Sequence, residues 1–490
     1  MGRKSIKRNY FYNVAYQILL LGIPLITTPY ISRVLGANGI GTYSFMNSIV
    51  SYFTLFASMG IATYGQREAS YVQDNREKRT QIFWETKVLS IISTMVCLAC
   101  YIFFVLFIAD FNQVIYLVLS LNIINVIADV SWFFQGIEEF GKIVLRNIVF
   151  KVINVVFIFL FVNVKDDLIW YIFGIVFLQL LSSISLWRYL PSIIDKPDFK
   201  NIKPFRNVIT VISLFIPTIA IQIYTVLDKT MIGLFTIDSF ENGYYEQALK
   251  MSKLVLSLVT ALGTVMIPRI GFYFEKRETK QVQNLMYRGY RFVWFLGIPL
   301  CLGLIGISDN IVPWFYGEGF GTVASLLKVS SFLILAIGIN NVTGMQYLIP
   351  TKRQKMFTYT ILAGAGVNIV LNLLLIPRIQ AMGAIVASVL AESIIAVIQI
   401  VLVRKELQPW TIIKSAGHYV LGGTAMLLLL LIENRFMEPS ILHTSIMIIT
   451  GACVYLGVLA LVRDDFFLSN IKSVLRKLRG DKGKNKVDFS

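Results

Sequence analysis

The sequence is poor in the residues that build most enzyme active sites. Its 490 residues include only 2 histidines and 4 cysteines, and charged residues make up only 15%. Soluble domains carry about 25% charged residues, so this deficit excludes an ordinary soluble domain. The chain has no phosphate-binding loop with a following lysine, no serine nucleophile elbow, no zinc-protease helix motif and no paired catalytic carboxylates. We therefore expect no enzyme, no metal site, no cofactor and no ATP-driven pump within this chain.

Long apolar runs dominate what is present, because 56% of the residues are hydrophobic. A membrane-spanning helix needs about 20 mostly apolar residues. The sequence predicts an all-α integral membrane protein with about 14 transmembrane helices. The predicted spans are 10–32, 40–62, 82–109, 113–134, 146–163, 168–187, 208–228, 247–267, 287–307, 323–345, 357–376, 381–403, 412–432 and 441–462.

The basic residues predict the orientation of these spans. Of the 45 Lys and Arg residues, 35 fall in segments on the side of the N-terminus and only 5 in the opposite loops. This asymmetry follows the positive-inside rule and places both termini in the cytoplasm. The net charge of +17 is therefore a signal of topology and of contact with anionic lipids, as is the basic tail at 472–486. It does not indicate a nucleic-acid partner.

Matching positions in the two halves indicate an internal repeat. Asn13-Val14, Ile23-Pro24 and Leu35-Gly36 find counterparts in Asn207-Val208, Ile216-Pro217 and Ile232-Gly233, and Gly41 has a weaker echo in Gly243. Transporters are often built from such repeats with the substrate between the halves. We predict a six-helix N-lobe (1–205), a six-helix C-lobe (206–404), two C-terminal helices (405–463) and a basic cytoplasmic tail (464–490).

The stretch 23–45 stands out within the first repeat. It carries prolines inside an apolar run and an arginine before a glycine-rich turn, and a helix broken in this way must face protein or a water-filled cavity. We expect helix hinges at Pro24, Pro29, Gly36 and Pro217, and a cavity-facing side chain at Arg33.

Charges inside predicted spans each require a reason, because insertion costs about 2.5–3.5 kcal/mol per charge. Glu392, Asp129 and Asp228 either face a cavity as coupling or gating groups or pair with neighbouring helices. Basic residues near the outer ends of spans either converge on a vestibule that binds phosphate or extend separately to the interface. These are Arg33, Lys229, Lys250, Lys253 and Lys328.

Several stretches resemble the bacterial polysaccharide flippases of the Wzx/RfbX group. They are PLITTPYISRVLGANGIGTYSF, YFTLFASMGIATYGQREAS, DVSWFFQGIEEFGKIVLRN, LDKTMIG and NIVLNLLLIP with MGAIVASVLAE. This group belongs to the superfamily that includes multidrug extruders of the MATE type and lipid II flippases. The resemblance covers nearly the whole chain. The chain differs from the lipid II branch in having few basic residues deep in its second span.

The resemblance implies a MATE-like, V-shaped pair of six-helix lobes around a cationic cavity. It implies movement of undecaprenyl-pyrophosphate-linked oligosaccharide repeat units to the outer leaflet of the bacterial plasma membrane by alternating access. These units feed capsule or O-antigen assembly, with a polymerase and other assembly proteins as partners. Arg33 would then grip pyrophosphate, Arg67 would belong to the inner gate, and Asp129 and Glu392 would serve coupling or gating. The coupling ion, H+ or Na+, is left open.

Two alternatives from other classes remain at this point. An ion-coupled exporter of small drugs would favour acidic and aromatic groups in its cavity, whereas the outer charges here are mostly basic. A scaffold that recruits glycan-assembly enzymes through its basic tail would tolerate neutralisation of Arg33.

Overall fold

The structure is a computed structural model that describes residues 6–109, 111–198, 200–236, 238–261 and 263–470. Its α-helices are α1 (Ile6–Ser58), α2 (Ile61–Tyr71), α3 (Arg76–Phe107), α4 (Gln113–Ala128), α5 (Ser131–Gly136), α6 (Phe140–Phe161), α7 (Leu168–Ser185), α8 (Val208–Phe235), α9 (Phe240–Thr260), α10 (Gly263–Glu275), α11 (Thr279–Tyr316), α12 (Gly321–Ser330), α13 (Phe332–Asn340), α14 (Gln354–Leu402), α15 (Pro409–Lys414), α16 (Gly417–Phe436) and α17 (Ile441–Leu461). Short 3₁₀ segments occupy Lys165–Asp167 and Leu186–Ser192, and a π-helical segment occupies Asn341–Leu348. Every regular element in these ranges is helical, which confirms the all-α prediction.

The predicted spans correspond to these helices. In the described ranges, 10 helical segments are long and apolar enough to cross a membrane. One of them, Leu21–Tyr71, overlaps the first two predicted spans, and another, Gln354–Leu402, overlaps the predicted spans at 357–376 and 381–403. The predicted spans at 208–228 and 247–267 fall mostly within α8 and α9. The number and order of the predicted spans are therefore confirmed.

The helix breaks lie at specific residues. Within α1 the backbone leaves helical geometry at Gly36, where φ is 65° and ψ is 178°. A side chain disfavours this left-handed φ, so glycine suits the position. The helix continues through Pro24 and Pro29, so the sharp change of direction follows the prolines rather than coinciding with them. Pro217 lies within the bounds of α8. Whether these four positions act as hinges during transport stays a prediction.

The chain packs into two compact units. The first comprises Met1–Glu246, Tyr316–Gly319 and Asn368–Ala384, and the second comprises the remaining residues. The first unit thus includes α8, the start of α9 and the middle of α14 in addition to the six predicted N-lobe spans. The repeat-based lobe boundary at residue 205 is a different kind of division and stays a prediction. Most of the predicted basic tail lies outside the described residues.

One contact inside the first unit is reciprocal. A Cβ on Gly41 would lie 1.7 Å from the Ser239 carbonyl oxygen, and a Cβ on Gly243 would lie 2.0 Å from the Ala37 carbonyl oxygen. Only glycine permits so close a backbone approach on both sides. Ala37 and Gly41 are four residues apart, as are Ser239 and Gly243, and a two-fold-related repeat would produce this arrangement. Gly41 and Gly243 are also the weak echo seen in the sequence.

The second unit has buried polar pairs between its helices. Ser252 and Ser330 share a hydrogen bond of 2.7 Å, and Tyr290 bonds Thr343 at 2.7 Å. In an apolar surrounding such satisfied pairs set helix register, because leaving either partner unpaired is costly.

Candidate functional site

A polar cavity of about 480 Å³ opens within the first unit. Its walls come from the second half of α1 and from α2, α3, α4, α5, α7 and α8. Carboxamide and hydroxyl side chains line much of it: Tyr43, Asn47, Ser51, Thr54, Ser58, Ser90, Asn122, Asn125, Gln179 and Gln222. Among the lining residues that the structure describes, Asp129 is the only charged one. We refer to this space as the amide-lined cavity.

Helical spacing on α1 and α4 puts these side chains on common faces. Asn47, Ser51, Thr54 and Ser58 follow steps of four, three and four residues, which keep one face of an α-helix. Asn122 and Asn125 have the same kind of spacing on α4, and Asp129 follows directly after the last residue of that helix. Asn122 Nδ2 donates to Asn47 Oδ1 at 3.4 Å, so the two polar faces meet. The buried Asn125 Oδ1 accepts no hydrogen bond from any described residue.

The floor of the cavity is the C-terminal end of α4, whose carbonyls have side-chain donors. Ser90 Oγ donates to the Val126 carbonyl at 3.5 Å, and Trp187 Nε1 donates to the Ala128 carbonyl at 2.7 Å. The fully buried Lys87 ammonium donates to the Ile127 carbonyl and to the Asp129 carbonyl at 3.4 Å. A helix end inside a membrane needs such partners, and a cation also complements the helix dipole.

Asp129 lies between this floor and α5. Its Oδ1 accepts the Ser131 backbone N–H at 2.9 Å and also the Ser131 hydroxyl. Arg146 Nη2 in turn donates to Ser131 Oγ at 3.3 Å. The carboxylate therefore holds the turn from α4 to α5 while lining the cavity. Its predicted coupling or gating role stays a prediction, now with a structural role beside it.

A second polar cluster lies around Asp228 in the first unit. Asp228 is 4% exposed; its Oδ2 accepts Tyr245 Oη at 2.6 Å, and its Oδ1 accepts Asn372 Nδ2 at 2.6 Å. Asn372 Nδ2 also lies 3.0 Å from Asn368 Oδ1. Asn372 Oδ1 is buried and accepts no hydrogen bond from the described residues. Several oxygen atoms thus meet in a buried position.

The five predicted substrate-binding cations are divided between the units. Arg33 and Lys229 belong to the first, whereas Lys250, Lys253 and Lys328 belong to the second. Lys229 Nζ lies 2.5 Å from Glu246 Oε2, and Lys328 Nζ lies 2.7 Å from Asp309 Oδ2. Neither unit brings all five together, so the vestibule stays a prediction.

The Arg33 side chain is exposed and starts just before the break in α1. Its Nη1 donates to the Pro29 carbonyl at 3.4 Å. Its Cγ would lie 3.0 Å from a Cβ on Gly317, a residue with a left-handed φ of 93°. The arginine therefore packs against a backbone that only glycine leaves open.

The remaining predicted site residues have local partners. Glu392 Oε2 accepts Asn340 Nδ2 at 2.5 Å, and the same nitrogen donates to the Glu392 carbonyl at 3.0 Å. Arg67 Nη2 lies 2.8 Å from Glu68 Oε1, and its guanidinium is 5.8 Å from the Tyr64 ring centroid. Their roles in coupling or gating stay predictions.

Charge-based reasoning missed the carboxamides of the amide-lined cavity. The signal was present in the sequence, because Asn, Ser and Thr inside apolar spans recur at helical spacing on α1, and Asn122 and Asn125 do so on α4. A search for intramembrane charges does not detect neutral side chains. Only the packed helices show that the polar faces of α1 and α4 meet.

Solved structures of transporters share this fold. A structure of lipid II flippase MurJ in an inward closed conformation matches with a TM-score of 0.74 and 16% identity, covering 93% of this chain and 99% of that one. An inward-facing MATE-family multidrug transporter of the MOP superfamily matches with a TM-score of 0.56 and 12% identity, covering 81% of this chain and 98% of that one. The chain thus has the fold of MurJ and MATE transporters.

Sequence comparison places the chain more narrowly. Residues 6–274, more than half of the chain, match the family model described as "Polysaccharide biosynthesis protein", and the chain belongs to that family. An Escherichia coli K12 protein named "Putative O-antigen transporter" is 23% identical over 414 residues, covering 82% of this chain and 97% of that protein. The Bacillus subtilis lipid II flippase MurJ is 21% identical over 425 residues, covering 74% and 78%. These relatives confirm the resemblance noted in the sequence.

Proposed function

We propose that this protein is a transporter that moves a lipid-linked glycan from the inner to the outer leaflet by alternating access. The family, the O-antigen transporter and flippase relatives and the fold all support this function. The proposed location is a bacterial plasma membrane with both termini in the cytoplasm. Polysaccharide polymerase and assembly proteins are the proposed partners.

The amide-lined cavity is the observation that carries the proposal. A carboxamide both donates and accepts hydrogen bonds, as a sugar hydroxyl does, so a wall of Asn, Gln, Ser and Thr matches a glycan. Its volume of about 480 Å³ lies within the range of small-molecule sites, about 300–1,000 Å³. An exporter of cationic drugs would need unengaged acids there, but the only lining carboxylate, Asp129, already accepts two hydrogen bonds from Ser131.

Basic residues would handle the pyrophosphate of the carrier. Moving this group through about 30 Å of hydrocarbon requires cations to replace water. Arg33 is the first candidate, because a guanidinium can bind phosphate through two parallel hydrogen bonds. Lys229 and Lys328 each have a carboxylate partner that phosphate would first have to displace.

The cluster at Asp228 is the proposed coupling site. A small cation would bind the Asp228 carboxylate, since hard cations prefer oxygen ligands, and Asn372 Oδ1 is a nearby buried oxygen that accepts no hydrogen bond from the described residues. A proton on Asp228 is the alternative driving species. Titrating transport by inverted vesicles with Na+ at fixed pH, and with protons at fixed Na+, distinguishes the two.

The test of function uses a strain that lacks this gene and makes no surface polysaccharide. The wild-type gene should restore the polymer and remove glycan-lipid that has accumulated on the cytoplasmic side. Asn125→Leu should reduce flipping about tenfold, as expected for one or two lost hydrogen bonds to the glycan. It should not lower thermal stability, because it removes an unpaired buried oxygen.

The matched control is Asn154→Leu on α6, outside the cavity, where the Asn154 Oδ1 is likewise buried and unpaired. It should leave flipping unchanged. If Asn125→Leu, at normal expression, restored the full amount of polysaccharide, the proposal that the cavity binds glycan would be wrong. A deletion phenotype restricted to drug sensitivity would instead favour the exporter. If Arg33→Ala fully restored the polysaccharide, the proposal that Arg33 binds pyrophosphate would be wrong.

A further inference from the structure

A second pocket, of about 570 Å³, lies in the first unit where α8 ends, α9 begins and α14 is broken. The sequence predicts that both connecting segments face the outside, and the structure brings them together. Its lining includes three aromatic rings, two carboxylates and one carboxamide, from Phe235, Phe240, Tyr244, Asp238, Glu241 and Gln380. None of the lining residues that the structure describes is basic. This space is separate from the amide-lined cavity and shares no lining residue with it.

The two carboxylates hold the backbone around the pocket. Asp238 Oδ1 accepts the Phe240 backbone N–H at 3.2 Å, and Glu241 Oε2 accepts the Ala381 backbone N–H at 3.0 Å. Within the described ranges, neither carboxylate forms an ion pair with a basic side chain. The pocket therefore carries negative charge that no described cation neutralises.

The aromatic rings are open to the pocket. Phe235 is 45% exposed and Phe240 is 40% exposed, and the Phe240 and Tyr244 ring centroids lie 6.4 Å apart. An aromatic face attracts a cation, most strongly a large, weakly hydrated one such as an alkylammonium. Rings and carboxylates together thus favour the same kind of ligand.

The backbone at Gln380 is strained. Its φ of 50° and ψ of −129° are rare for a residue with a side chain. Strain of this kind persists where surrounding structure or function requires it. Here it breaks α14 and leaves the Gln380 carboxamide among the residues that line the pocket.

We propose that this pocket binds an organic ammonium group. The carboxylates oppose phosphate, and the volume far exceeds that of a bare metal ion. Aromatic faces beside acids that form no ion pair within the described ranges distinguish an ammonium from a neutral sugar. The ligand is either the headgroup of a zwitterionic lipid, such as ethanolamine or choline, or a free amine in solution.

The experiment measures choline binding to the purified full-length protein by isothermal titration, with 3,3-dimethylbutanol as the neutral analogue of the same shape. Choline should bind and the analogue should not. Asp238→Asn combined with Glu241→Gln should weaken choline binding about tenfold, and Tyr244→Leu should weaken it without changing charge. Asp166→Asn, in another predicted outer loop, is the control and should leave binding unchanged.

Lipid and solution sources give different results. If the ligand is a lipid, wild-type protein in phosphatidylethanolamine nanodiscs should retain that lipid on transfer to detergent, and the double variant should not. If it is a free amine, choline should bind without such retention. Equal binding of choline and its analogue, or unchanged choline and lipid binding in both folded variants, would overturn the proposal. Glycan flipping is a separate measurement, so either proposal can fail alone.

Discussion

Lys87 offers a sharp test of how the amide-lined cavity is built. It lies on α3, is fully buried, and donates to the carbonyls of Ile127 and Asp129 at the end of α4. Its ammonium also lies 5.0 Å from the centroid of the Trp187 ring. Lys87→Met keeps the length of the side chain but removes the donor and the charge.

The expected cost follows from these contacts. A buried carbonyl without a donor costs about 1–3 kcal/mol, and a desolvated cation over an aromatic ring contributes about 0.5–2 kcal/mol. Relief from burying an ammonium group offsets part of this loss. We expect a net destabilisation of about 2–4 kcal/mol, with the floor of the cavity affected first.

The assay is thermal or denaturant unfolding of purified protein, with glycan flipping measured in parallel. The control is Lys78→Met, the same substitution on the same helix at an exposed position, which should change stability by less than about 0.5 kcal/mol. If Lys87→Met and Lys78→Met unfolded at the same midpoint, Lys87 would not support the end of α4, and our account of the floor would be wrong.

Two further predictions concern other parts of the fold. Gly65→Ala should destabilise the protein by about 1–3 kcal/mol, because the new Cβ would lie 2.4 Å from the Trp132 ring. The control is Gly366→Ala, whose new Cβ would have no atom within 4 Å and should not destabilise the protein. Equal unfolding midpoints of the two variants would contradict this prediction. Burial raises the pKa of Glu406, but the hydrogen bonds from Arg353 at 2.7 and 2.8 Å and from Tyr347, together with the charge of Arg353, outweigh burial, so the pKa of Glu406 is lowered. The pair therefore contributes stability above about pH 4.3, the unfolded value, that is lost as pH falls through the lower folded pKa. Glu406→Gln should lower the unfolding midpoint at pH 7 and remove this acid-dependent part, and an unchanged pH profile would refute it.

Apolar runs and basic loops were enough to predict the membrane spans and their orientation from the sequence. A span is recognised by about 20 consecutive apolar residues, and the positive-inside bias indicates that the number of spans is even. Neither feature depends on contacts between residues distant in the chain. The glycine-rich turn at Gly36 and the echo of Gly41 in Gly243 were also visible, because only glycine permits those backbone geometries. The family resemblance rested on motifs of the same local kind.

Side-chain partners were decided by the tertiary structure. The sequence shows Lys87 and Asp129 as charges inside spans, but not that Lys87 ends α4 or that Asp129 holds the turn to α5. It shows Asn47 and Asn122 as unremarkable amides. Their pairing requires α1 and α4 to pack face to face, which depends on contacts between residues far apart in the chain.

By itself, then, the sequence determined an all-helical membrane protein, its spans and its expected orientation, because bilayer thickness and backbone hydrogen bonding leave few alternatives. Only the tertiary structure decided which polar groups meet. The amide-lined cavity, the Asp228 cluster and the pocket near Gln380 exist because helices distant in sequence bring neutral and acidic side chains together. In apolar surroundings each such group needs a partner, and the packing of the helices supplies it or leaves a place for a ligand.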